Sequence, residues 1–97
     1  MTTLHIHRPH ALGMERARQL GQSWMAEAQA QWGLHCERQT SPEEDLIAFS
    51  RSGVSGTLRV TALEFELRAK LGFLMAAFAP AIETQITQNL DALLGQT

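Results

Sequence analysis

The stretch TLRVTALEFELRAKL, running from Thr57 to Leu71, decides the fold of this chain. Leu58 and Val60, then Phe65, Leu67, Ala69 and Leu71, alternate with Thr57, Arg59, Thr61, Glu64, Glu66, Arg68 and Lys70. Successive side chains of a strand point to opposite faces, so a period of two with the apolar residues all on one side describes strands with one buried and one solvated face. The period predicts strands over Thr57 to Thr61 and Glu64 to Leu71, joined by a hairpin-length link. Because only one face of such a sheet is apolar, any helix in the chain must find its cover on that same face.

Upstream, Asp45 to Arg51 carries Leu46, Ile47, Ala48 and Phe49 in a row, which predicts a central strand with some cover on both sides. Gly53 and Gly56 frame a hairpin connection within Ser52-Gly53-Val54-Ser55-Gly56. Leu34 to Gln39 sets Leu34 and Cys36 against His35 and Glu37, a further strand that stops at the turn residues Thr40-Ser41-Pro42-Glu43-Glu44. At the start of the chain Leu4 and Ile6 alternate with His5 and His7. Arg8-Pro9 ends this Thr3 to His7 strand, since proline brings no donor to a ladder.

Two segments switch to the helical period. From Ala11 to Trp32, Ala17, Leu20, Trp24, Ala28 and Trp32 recur at spacings of three and four, and Gly33 provides the stop. From Phe73 to Leu94 the residues Leu74, Phe78, Ile82, Ile86 and Leu90 lie four apart, with Leu93 closing an inward stripe. Pro80 interrupts this run and predicts either a kink or a short helical piece at 73 to 78, followed by the main helix from about Pro80. The order β-α-β-β-β-β-α predicts an α+β two-layer sandwich: one largely antiparallel sheet of about five strands, with two long helices packed on one face.

Size and composition agree. The 97 residues are 44% hydrophobic and 19% charged, so residues 1–97 are expected to form a single domain. A formal net charge of -2 offers no excess of cations to neutralise a nucleic-acid backbone, and duplex binding is not expected. The helical stretch from Phe73 could span a bilayer by length, but Glu83, Gln85, Gln88, Asn89 and Asp91 make its second half too polar. The single cysteine, Cys36, and an opening MTTLHIHRPH without a signal-peptide pattern fit a cytoplasmic location.

IHRPHALGMERAR (6–18), SRSGVSGTLRV (50–60), FELRAKLGFL (65–74) and NLDALL (89–94) together resemble the polyhydroxyalkanoic acid system family of small bacterial proteins, encoded beside genes for storage polyester metabolism. The resemblance covers nearly the whole chain in order. It implies an accessory role at or near the polyester granule surface, or as a regulatory binding protein, and it brings no catalytic, metal or cofactor residue with it. No enzymatic activity and no cofactor are therefore expected.

Several clusters invite a sharper function. His5 and His7 share a strand face and His35 could join them at a metal, but three convergent ligands are needed and none of the carboxylates or Cys36 falls at a ligand spacing. A solvated polar face accounts for them. The GVSG segment lacks the lysine and helix start of a phosphate loop and is read as a turn. Glu64 and Glu66 could do acid–base work, but a ladder of exposed charges with Arg59, Arg68 and Lys70 is simpler. Trp24 and Trp32 are read as core, although a concavity lined by Trp24, Phe49 and Phe65 with at least one buried polar group would favour a small-ligand-binding module. The feature that exceeds the needs of a small core is the apolar run from Leu71 to Ile82. If Leu74, Phe78 and Ile82 point inward, then Phe73, Met75, Ala76, Ala79 and Pro80 cover the outer side. They form a candidate interface for a homodimer, a granule surface or a granule protein.

Overall fold

The computed structural model describes residues 2–95; Met1, Gln96 and Thr97, at the limits of the expected domain, lie outside the described residues. The elements follow in the order β1 (Thr2–Pro9), α1 (Met14–Trp32), β2 (His35–Thr40), β3 (Asp45–Arg51), β4 (Val54–Val60), β5 (Glu64–Leu71), a 3-10 turn (Ala76–Phe78) and α2 (Ala79–Leu94). The five strands form one antiparallel sheet in the order β1-β5-β4-β3-β2. The α+β sandwich read from the periodicities is the fold observed.

The meander β2 to β5 follows from short links, and β1 adds to its far edge by pairing with β5 from Thr2↔Leu71 to Pro9↔Glu64. One end of the sheet thus carries Pro9, Glu64, Val60, Asp45 and Thr40, and the other carries Thr2, Leu71, Val54, Arg51 and His35. α1 leaves the Pro9 end and delivers the chain to the His35 end. α2 leaves the Leu71 end and returns, so that Arg8 Nε donates to Asp91 Oδ1 at 2.9 Å. The helices therefore run antiparallel over the same face.

Leu4, Ile6, Ile47, Phe49, Leu58, Val60, Phe65, Leu67, Ala69 and Leu71 from the sheet meet Ala17, Leu20, Trp24 and Ala28 of α1 and Ile86, Leu90 and Leu93 of α2 in one core. Each large side chain buried there contributes roughly 1.5 to 3 kcal/mol. Arg18 Nε of α1 lies 3.3 Å from Asp45 Oδ1, too poorly aligned for a hydrogen bond, and the Arg38 guanidinium is 3.9 Å from the other carboxylate oxygen. Asp45 is only 2% exposed, and the two cations offset the cost of burying its charge. Arg18 also donates to the Ser41 carbonyl, which ties α1 to the β2–β3 turn.

The first strand does not end at His7: β1 continues through Arg8 and Pro9, which pair with Phe65 and Glu64 at the edge of the sheet where a missing N–H is tolerated. Four further expectations need correction. β3 is covered on one side only: Ile47 and Phe49 are buried while Leu46 is half-buried and Ala48 exposed, because both helices lie on the same face. α1 begins at Met14 rather than Ala11, since the Leu12 N–H is engaged by His10 Nδ1 in the preceding loop. The β3–β4 hairpin is tighter than the two glycines suggest. Arg51 pairs with Val54 across Ser52-Gly53, with Gly53 at φ 84°, and Gly56 lies inside β4. The break at Pro80 is real, with the 3-10 turn before it and α2 starting at Ala79, but the inward stripe does not cross it. Leu74 and Phe78 are exposed, whereas Met75 and Ala79 pack against the core. The cause is a turn: Gly72 N–H donates to Gly53 O, and Met75 and Ala76 N–H both donate to Gly72 O. That geometry resets the helical phase, so spacings counted back from Ile86 through Ile82 no longer apply.

Gly56 is fixed by close approach. A Cβ built there would sit 2.2 Å from the Arg68 carbonyl oxygen, 2.8 Å from Ala69 Cα and 2.7 Å from the Phe49 ring. The ring of Phe49 occupies the space this glycine leaves on the inner face. Gly56→Ala is expected to lower stability by at least about 2 kcal/mol, because backbone atoms cannot move aside. Urea denaturation checks it, with Ser55→Ala on the exposed face shifting the midpoint little.

Candidate functional site

The first candidate region is the outer sheet face. His5 Nε2 lies 3.1 Å from Glu66 Oε2, His7 Nε2 lies 2.5 Å from Glu64 Oε2, and Arg68 and Arg59 pair with Glu66 and Glu44 at 3.6 and 3.2 Å. The hydrogen bond with His5, helped by the charges of Arg68 and Arg59, holds the half-buried Glu66 carboxyl below its usual range. His5–Glu66 and His7–Glu64 are diagonal cross-strand pairs between β1 and β5, Arg68 and Glu66 are next-but-one neighbours along β5, and Arg59 of β4 reaches Glu44 in the β2–β3 turn. His35 lies on β2 at the opposite edge from β1, facing Glu37 at 3.4 Å, and cannot reach His5 and His7. Among the described residues no three His, Cys, Asp or Glu side chains converge. Cys36 is half-buried beside the core, and burial pushes its thiol up, away from the thiolate a nucleophile needs.

His10 leaves this face altogether. Its backbone N–H donates to Leu63 O at 2.8 Å, and its ring lies 4.9 Å from that of Phe65. Nδ1 accepts the Leu12 N–H at 3.2 Å, so the neutral ring carries its proton on the buried Nε2.

The second region lies under the helices at the Leu71 end of the sheet. α2 is buried only along its second half, at Ile86, Asn89, Leu90 and Leu93, while Pro80, Ala81, Glu83, Thr84 and Gln85 remain exposed. Its first half stands off the sheet, and a cavity of about 360 Å3 opens beneath it. The walls come from Trp24, Gln31 and Trp32 of α1, Leu34 just before β2, Phe49 and Arg51 of β3, Val54, Ala69 and Leu71 of the neighbouring strands, Met75, and Ala81, Ile82, Gln85 and Ile86 of α2. Trp24 stands edge-on to both Trp32 and Phe49, at centroid distances of 6.2 and 5.4 Å. Its buried indole N–H has no acceptor among the described residues. Arg51 Nη1 donates to the Trp32 carbonyl at 2.6 Å, at the C-terminal end of α1 where a cation is favoured.

Trp24 and Phe49 thus line the concavity, as the ligand-module reading requires, but Phe65 does not. It lies near the opposite end of β5, against His10. Sequence reasoning missed Arg51 and Met75 as lining residues. The strand pattern places Arg51 at the end of a strand, but nothing local shows that the end of α1 lies beside it.

The third region is the turn into α2. Phe73 is 90% exposed, Leu74 81% and Phe78 57%. Of the residues expected to form an outer apolar surface, Phe73 and Pro80 are exposed, Ala76 and Ala79 are half-buried, and Met75 turns into the cavity wall. Leu74 and Phe78, expected inside, join Phe73 outside.

A family of polyhydroxyalkanoic acid system proteins matches residues 4–94. The chain belongs to this family. No curated protein and no solved structure gives a significant match. Membership places the chain among polyhydroxyalkanoic acid system proteins, and no helix among the described residues is long and apolar enough to cross a membrane.

Burial lowers the His10 pKa from 6.5, although the carbonyls of Thr61 and Glu64 and the Glu64 carboxylate pull the other way. The unfolded chain therefore binds this proton more readily than the folded one. Stability is expected to be full above about pH 6.5 and to fall as the pH drops below it. Urea midpoints at pH 7.5 and 5.5 check this: the drop should be smaller in His10→Asn, whose side-chain oxygen can still accept the Leu12 N–H.

Proposed function

We propose that this protein is a non-enzymatic accessory protein of polyhydroxyalkanoate metabolism that docks on the cytoplasmic polyester granule through Phe73, Leu74 and Phe78. One observation carries the reading. Three large apolar side chains within six residues stand in solvent on a hydrogen-bonded turn, while the other large apolar side chains among the described residues, Leu63 apart, are at least partly buried. Exposed apolar clusters of this kind mark interaction surfaces. The polyester of the family's name has an apolar surface to offer, and covering each side chain there would contribute roughly 1.5 to 3 kcal/mol.

The turn suits the task because its backbone is held from below. Gly72 is anchored on Gly53, and Met75 is packed into the body of the domain, so the side chains on either side of Met75 are presented on a fixed base. A non-enzymatic role is supported by the solvent-facing pairs of His5 and His7, and by the raised thiol of Cys36, which together offer no activated nucleophile. The same surface could join two copies of the chain, and that alternative has a different readout.

The triple variant Phe73→Glu, Leu74→Lys, Phe78→Ser keeps the net charge and removes the surface. Wild type is expected to sediment with granules stripped of their proteins. The variant should stay in solution, with unchanged circular dichroism and urea midpoint. If the variant sediments as well, docking is not through this turn. If wild type stays in solution but elutes as a dimer that the variant lacks, the surface serves self-association instead.

A further inference from the structure

We propose that the cavity under α2 binds an aliphatic chain of medium length ending in a carboxylate, with the chain among Trp24, Phe49, Leu71 and Ile86 and the carboxylate on Arg51. This goes beyond granule docking, since Phe73, Leu74 and Phe78 do not line the cavity.

Size sets the chain length. A water-sized group takes about 30 Å3 in a liquid, so 360 Å3 accommodates about a dozen heavy atoms, the bulk of an eight- to ten-carbon acid. The walls set the chemistry of its body. They are aromatic and aliphatic at the sheet and at the inner side of α2, with Gln31, Gln85 and Arg51 as the polar members. Small-molecule sites combine a mainly apolar lining with a few placed polar groups in this way.

Arg51 sets the head group. Arg8, Arg18, Arg38, Arg59 and Arg68 each face a carboxylate. Among the described residues Arg16 and Arg51 have no such partner; Arg16 donates to Gln19 Oε1 away from the cavity, whereas Arg51 lines it and is held in place by the Trp32 carbonyl through one of its five N–H donors. A fixed guanidinium with donors to spare, beside an apolar cavity, selects an anion over an alcohol of equal length. The buried Trp24 indole N–H, on a wall residue and without an acceptor among the described residues, is a further donor that an oxygen on the chain would satisfy. A plain fatty acid and the hydroxy acid released from a polyester share this chemistry.

Trp24 and Trp32 are the chain's two tryptophans and both line the cavity, so intrinsic fluorescence reports on it directly. Decanoate, 3-hydroxydecanoate and decanol are titrated into the intact protein below their aggregation limits. Both acids are expected to give saturable one-to-one curves, with decanol roughly tenfold weaker, the scale of one charge-assisted contact. Tighter binding of the hydroxy acid than of decanoate assigns the site to polyester-derived acids, and the reverse assigns it to fatty acids. Arg51→Gln should bring decanoate down to the affinity of decanol, and Arg51→Lys should retain part of the preference. Ala81→Phe, at the exposed rim, should abolish binding of all three without changing circular dichroism. The proposal is overturned if wild type shows no saturation, if it binds decanoate and decanol equally, or if Ala81→Phe binds as wild type does.

Discussion

Leu58, Val60, Phe65 and Leu67 all face the same side of the sheet, and this one-sidedness constrains every other element. The opposite side carries Arg59, Glu66, Arg68 and Lys70, which no helix could cover without stripping water from charge. Both helices must therefore share a surface about 20 Å across, given strands about 4.8 Å apart. α1 settles over β3 and β4, with Ala17 and Ala28 allowing close approach and Trp24 filling the gap between. α2 takes the β1 side, and its register there is held at the far end by Arg8 and Asp91. Its near end is attached to a turn rather than to the sheet, and the cavity is the space that this attachment leaves.

The two ends of the sandwich consequently differ in chemistry. Around Asp45 the surface is closed by ion pairs with Arg18 and Arg38, by Arg59 on Glu44, and by the neutral ring of His10 against Phe65. Around Leu71 it is open and apolar, with Met75 in the cavity wall and Phe73, Leu74 and Phe78 on the outside. An exposed apolar surface and an apolar cavity thus lie within a few residues of each other along the chain and share Met75 as the boundary between them.

Much of this was legible in the sequence. The alternation from Glu64 to Leu71 is unbroken, and that strand is observed with the same limits and the same inner face. The stripe of α1 also reads correctly, because Ala17 to Ala28 lies in one uninterrupted helix with a constant phase. What failed was reasoning across a break. Leu74, Phe78 and Ile82 are four apart in the sequence, but the hydrogen bonds of Gly72 begin a turn that the spacing does not register. β3 was misjudged for a related reason. A run such as Leu46-Ile47-Ala48-Phe49 cannot show from its own composition whether a second layer exists. The buried Asp45 was not singled out either, since its partners Arg18 and Arg38 come from different elements. The cavity depends on two such non-local meetings: the end of α1 with β3, and the lifted half of α2 with the sheet.

The pairing of β1 with β5 has a consequence for how the chain acquires its structure. Partners in this ladder are separated by 55 residues at Pro9↔Glu64 and by 69 at Thr2↔Leu71, whereas β2 to β5 pair with immediate neighbours in sequence. Closing a long loop costs more entropy than closing a hairpin, so the four-stranded meander forms ahead of the edge that completes it. During synthesis the first strand emerges from the ribosome before any of its partners exist, and Leu4 and Ile6 must wait until residue 71 has followed. The histidines and Arg8 that alternate with those two side chains keep the waiting segment polar on one side, and Pro9 limits its capacity to pair with the wrong chain.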